Sequence, residues 1–169
     1  MKFKRFEDFN SQLSIINSQL VPLLPRHAAI VPRIRRADAE EIWAAQGIHP
    51  RYAIAATIAT TDIGWAAEFD GEPEAIFGAC ASGAGSGFVW LIATDVIEKY
   101  PVHFYRVSKR IIGRIRERYD YLENWVDARN VLSLRWLKWA GFEIAEPAPW
   151  GVMGLDFCHI SMGQLRIDN

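Results

Sequence analysis

Residues 119–142, YDYLENWVDARNVLSLRWLKWAGF, constrain the fold more than any other stretch. Residues 122–126 are apolar and aromatic between charges, which reads as a strand. Asp127, Ala128, Arg129 and Asn130 then break the pattern with residues that cap helices. Residues 131–140 are apolar almost all round, with Arg135 and Lys138 as a narrow polar stripe, so their helix is mostly buried. Gly141 stops it where a left-handed residue is wanted, and Phe142 opens the next strand. A short buried strand feeding a buried helix demands a layered α/β architecture.

The rest of the chain supplies the remaining layers. Residues 1–25 read as an N-terminal extension, in which Phe6, Phe9, Leu13, Ile16 and Leu20 predict an amphipathic helix over 6–20, ended by Pro22 and Pro25. Residues 26–169 read as one domain. A strand is expected over 28–35, a helix over 37–43 with Asp38 as its cap, and a helix over 50–60 opened by Pro50. Strands follow at 63–69 and 74–81 around the Asp70–Gly71 turn. Residues 82–87 form a flexible Gly/Ser loop before the dense apolar strand 88–94. Residues 102–118 form a basic amphipathic helix, and residues 143–167 two closing strands.

Composition narrows the function classes. With 169 residues, half of them hydrophobic, the chain can build a sizeable core and is not disordered. A formal net charge of -1 gives no global attraction to nucleic acid or membrane. Cys80 and Cys158 read as free thiols, and His27, His49, His103 and His159 show no metal-ligand spacing. Charges at Lys2, Lys4, Arg5, Glu7 and Asp8 argue against a signal peptide, and no apolar run approaches the roughly 20 residues of a membrane helix. The expected location is the cytoplasm of a cell or a particle assembled there.

Asn130, Ser133, Arg135, Lys138, Gly141 and Phe142, with the element order around them, resemble the second half of the GNAT (N-acetyltransferase) fold. The resemblance implies a central mixed sheet flanked by helices and acetyl-CoA as cofactor, with Ile92, Thr94, Val102 and Asn130 in the cofactor positions. Two departures stand out. The family's phosphate loop uses glycines and helix-start N–H groups; residues 94–102, TDVIEKYPV, hold no glycine and carry Asp95, Glu98 and Pro101. The family's general-acid Tyr, four residues before the Gly, is Leu137 here. Tyr100, Tyr105 and Tyr119 are possible substitutes, and Glu68 and Asp95 are the candidate general bases.

Residues 90–162 also resemble a small virion-assembly protein family of T7-like phages that is itself GNAT-like. The shared residues include Thr94, Asp95, Ser108, Lys109, Tyr119, Asp120, Leu122, Asn124, Val126, Asn130, Ser133, Leu137 and Gly141. This resemblance implies a phage or prophage origin, a degenerate cofactor site and virion proteins as partners. Arg106, Lys109, Arg110 and Arg114 form a basic face that suits DNA phosphates or a partner protein. Trp125, Trp136 and Trp139 read as core, while Trp150, between Pro149 and Gly151, reads as an exposed contact. Three functions stay open: a virion-assembly protein, an acyl-CoA-dependent N-acyltransferase, and a nucleic-acid-binding module.

Overall fold

The computed structural model describes residues 18–164. One eight-stranded sheet lies between two helical layers. Its strands are β1 (Ser18–Pro22), β2 (Ile63–Phe69), β3 (Glu72–Gly83), β4 (Ser86–Ala93), β5 (Tyr121–Asp127), β6 (Glu143–Ile144), β7 (Ala148–Trp150) and β8 (Leu155–Gly163). The order is β1-β2-β3-β4-β5-β8-β6, with β7 also on β8. Every pairing is antiparallel except β4 with β5. α1 (Arg36–Gln46) and α2 (Pro50–Thr60) cover one face. α4 (Pro101–Arg116) and α5 (Val131–Ala140) cover the other, and the short α3 (Val96–Lys99) leads into α4.

The core is therefore double. Ile42, Ile54 and Ile58 pack on Ile30, Ala66 and Ile76 beneath α1 and α2. Ile111, Ile115, Trp136 and Leu137 pack on Val89, Leu122 and Ile160 beneath α4 and α5. Each fully buried side chain of this size contributes about 1.5–3 kcal/mol. Asp70 and Gly71 both have positive φ, as a two-residue hairpin between right-twisted strands needs. At α5, the Asn130 side chain accepts from the Ser133 N–H, and Gly141 at φ 101° closes the helix.

The structure departs from the sequence expectations mainly at the start. Residues 28–35 are not a strand; Pro25–Arg33 is a 3₁₀ helix. Pro25 and Pro32 have no N–H for a ladder, and the buried pair His27 and Ile30 follows the three-residue period of a 3₁₀ turn. The first strand is β1, pairing with β2, so Ser18, Gln19 and Leu20 are extended and not helical. The remainder of the expected 6–20 helix lies outside the described residues. Asp38 is not a cap: Arg35 holds that position, and Asp38 is buried inside the first turn. The expected 82–87 loop is mostly strand: Gly83 pairs with Ser86 and only Ala84 and Gly85 turn between them, and residues after Phe142 form three strands instead of two.

Glu68 is fixed by this start of the chain. Its buried carboxylate meets Arg26 at 2.7 Å, His27 Nε2 at 3.0 Å and Gln19 Nε2 at 3.2 Å. His27 Nδ1 accepts from the Leu24 N–H, so Nε2 carries the proton and donates to Glu68. Burial lowers the His27 pKa, against the pull of Glu68, and keeps the ring neutral. Glu68→Ala would strand this buried donor and is expected to cost about 2–4 kcal/mol, seen as a lower urea midpoint at unchanged m-value.

Candidate active site between the parallel strands

β4 and β5 pair only at their starts, through Ser86–Tyr121, Gly87–Leu122 and Phe88–Glu123. Beyond that the two strands separate, and Asn124 sits in the fork. Its Nδ2 donates to the Val89 carbonyl of β4 at 2.8 Å, and its Oδ1 accepts from the Trp125 N–H of β5 at 2.7 Å. One side-chain amide thus replaces a rung of the ladder and holds the strands apart.

The gap opens into a cavity of about 370 Å³ that passes through the sheet. Ile42 and Ile54 line it from the α1–α2 side, Phe104 and Trp136 from the α4–α5 side. Ala93 turns its N–H and C=O away from β3, and strand alternation turns Val89 and Leu91 the same way, toward the gap. Trp150 is half-buried, not exposed: it stacks on Trp125 with centroids 5.4 Å apart and also lines the cavity. Trp136 is core as expected, whereas Trp139 is half exposed on the outer surface.

Two carboxylates of α1, three residues apart and so on one helix face, close the far end of the gap. Asp38 Oδ2 accepts from the Ala93 N–H of β4 at 3.1 Å, and Oδ1 pairs with buried Arg35 at 2.5 Å. Glu41 Oε2 accepts from the Asp127 N–H of β5 at 3.2 Å and from Asn130 Nδ2 at 3.1 Å. Burial raises the Asp38 pKa against the pull of Arg35. It pushes Glu41 up to about 7, opposed by the Asn130 hydrogen bond and reinforced by the charges of Asp38 and Asp127. Glu41 therefore sits at the cavity with a carboxyl that exchanges its proton near neutrality.

The residues expected to form a site are divided by the structure. Ile92 and Asn130 line the cavity. Thr94 is buried outside it, donating to Glu74 and accepting from the Val96 N–H. Val102 and Asp95 lie on the surface. Glu68 is on β2, two strands from the gap. Leu137 lines the cavity, as does Tyr100, while the Tyr119 hydroxyl is spent on Asp62 at 2.6 Å. Glu41 carries a signal legible in retrospect: Asp38, Glu41, Ile42 and Ala45 recur at helical spacing, placing two acids on a buried stripe.

No family model matches the sequence, and no curated protein matches it significantly. Solved structures do match. Ard1 from Thermoplasma volcanium superposes with a TM-score of 0.70 at 14% identity, over 89% of this chain and 100% of that one. The chain has the GNAT acetyltransferase fold. The Escherichia coli ribosomal-protein-S18-alanine N-acetyltransferase matches with a TM-score of 0.60 at 13% identity, covering 90% of this chain and 97% of that one. Salmonella typhimurium yncA, solved with its cofactor acetyl-CoA, matches with a TM-score of 0.61 at 9% identity and the same coverages. Among the described residues no helix of this GNAT fold is long and apolar enough to cross a membrane.

Two predictions follow from the fork. Asn124→Leu leaves the Val89 carbonyl and the Trp125 N–H without partners and is expected to cost about 1–3 kcal/mol. That is a fall in melting temperature of about 2–12 °C, readable by calorimetry. For Glu41, the unfolded carboxyl ionises near its ordinary 4.5 and the folded one near 7. Between those values the unfolded chain holds fewer protons, so stability falls as pH rises and then levels off above pH 7. Glu41→Gln removes that loss. It is expected to stabilise the chain by on the order of 1–3 kcal/mol at pH 8 and little near pH 4.5, measured by urea unfolding at both pH values.

Proposed function

We propose that this chain is an acyl-CoA-dependent N-acyltransferase whose general base is Glu41. The observation that carries the reading is the through-sheet gap, held open by Asn124, with a carboxyl of pKa about 7 at its edge. The gap suits an acyl-pantetheine arm: apolar walls for its carbons, and strand amides of Val89 and Leu91 for its own. Ile92, Phe104 and Asn130 would flank it. Acetyl-CoA supplies an acyl group on a thioester. Glu41 takes a proton from the acceptor's ammonium, leaving a neutral amine able to attack that carbonyl. Tyr100, the one tyrosine among the described residues that line the cavity, would return a proton on departure of the thiol.

The phosphate end is built differently from the arm. Asp95 and Glu98 outnumber Lys99 in the β4–α4 connection, and the neighbouring Arg35 is held by Asp38 and lies 3.9 Å from Glu98. Recognition therefore rests on the arm. That same connection also supports a second reading, a GNAT-fold protein of phage type that serves virion assembly without acyl transfer.

Calorimetry with acetyl-CoA and with acetyl-pantetheine separates the two. Under the transferase reading both bind in the micromolar range, about -8 kcal/mol, within tenfold of each other. Thioester consumption with an amine acceptor then shows an acidic limb with apparent pKa about 7. Glu41→Gln removes the limb and lowers kcat/KM by about 10²–10⁴-fold. No heat with either compound at millimolar concentration would leave the assembly reading standing.

A further inference from the structure

The outer surface of α4 and α5 is chemically unlike the rest of the molecule. The two helices carry Arg106, Lys109, Arg110, Arg114, Arg116, Arg135 and Lys138, and no Asp or Glu. They contribute +7 to a chain of formal net charge -1, so the remainder carries -8. This segregation is invisible in the overall balance. All seven cations are exposed, and within the two helices no carboxylate offsets their field; Glu117, capping α4, pairs with Arg114 at 3.7 Å.

Amid these cations lies Trp139. Half of its surface is exposed. Tyr105 stacks against it with centroids 5.0 Å apart and fixes the ring, and Lys109 Nζ lies 5.7 Å from its centroid. Arg106, Lys109, Arg110 and Trp139 together line a shallow groove between the helices. Arg106, Arg110 and Arg114 succeed one another at intervals of four residues, about 6 Å along the axis. A row of cations beside a fixed, half-exposed aromatic ring matches a phosphate backbone with an unpaired base stacked on the ring.

We propose that the α4–α5 face binds single-stranded nucleic acid, with phosphates on Arg106, Lys109 and Arg110 and a base on Trp139. A purely electrostatic face would take duplex and single strand alike; the ring favours the single strand, whose bases are free to stack. An acidic protein would use the cations but leave the fixed ring without a role, and an anionic bilayer, whose interface also takes a Trp ring, is distinguished from the strand by vesicle binding. The site is separate from the cavity: among these residues none lines it. It does not depend on acyl transfer.

The test is fluorescence anisotropy of the full chain with a labelled 20-nucleotide single strand and the matching duplex, at about 50 and 200 mM salt. Expected is tighter binding of the single strand, falling at least tenfold between the two salts. Arg106→Gln should weaken both forms about equally and reduce the slope of log K against log salt by about 1, with an unchanged melting temperature. Trp139→Ala should weaken the single strand by about 5–150-fold and the duplex little. Trp139→Phe, which keeps a ring on Tyr105, should restore most of the loss. The proposal is overturned by no binding at the lower salt, or by Trp139→Ala leaving single-strand affinity unchanged. Displacement of the strand by equimolar CoA, or binding of anionic vesicles in preference to the strand, would equally overturn it.

Discussion

The Asn124 side chain, set between Val89 of β4 and Trp125 of β5, is the contact on which the working part of this molecule depends. Two parallel strands that begin paired will continue to pair unless something removes the gain. Asn124 satisfies one acceptor and one donor at the fork, so separation costs little hydrogen bonding there. Beyond it, the strands expose edges that would be expensive to leave bare in a closed interior. α1 meets that need with Asp38 on β4 and Glu41 on β5.

The electrostatic character of the gap follows from that arrangement. Of the carboxylates that satisfy the strand edges, Asp38 is buried and Glu41 largely withdrawn from water, and they crowd one another and Asp127. Arg35 neutralises Asp38, leaving Glu41 with only neutral donors and two acidic neighbours. A structural solution to splayed strands thus yields a proton-exchanging group at the mouth of an apolar cavity. Asp127 contrasts with it: burial pushes its pKa up, but the hydrogen bonds and charge of Arg129 win, and the net shift is downward.

Charge is distributed as unevenly as hydrophobicity. α4 and α5 carry seven of the 19 lysines and arginines and no acid, so the acids all lie on the other elements and connections. A near-neutral chain therefore presents one strongly basic surface, separated from the cavity by the thickness of α4.

Much of the fold was legible in residues 119–142, because a capped helix between two strands is written in local terms: Asn130 as cap, a continuous apolar run, Gly141 as stop. The Asp70–Gly71 hairpin and α2 behind Pro50 were legible for the same reason. Local chemistry misled where tertiary contacts ruled. His27 and Ile30 form a 3₁₀ turn because Glu68 and the α1–α2 core hold them, not because of any alternation. Glu68, a plausible base by position, proved to be bound by Arg26 and His27, and Trp150 was drawn inward by Trp125. Sequence alone determined the order of layers, since periodicity and caps act within a few residues. Tertiary structure decided which carboxylate faces the gap, because Glu41 acquires its pKa only from Asn130, Asp127 and Asp38, which lie on three different elements or their ends.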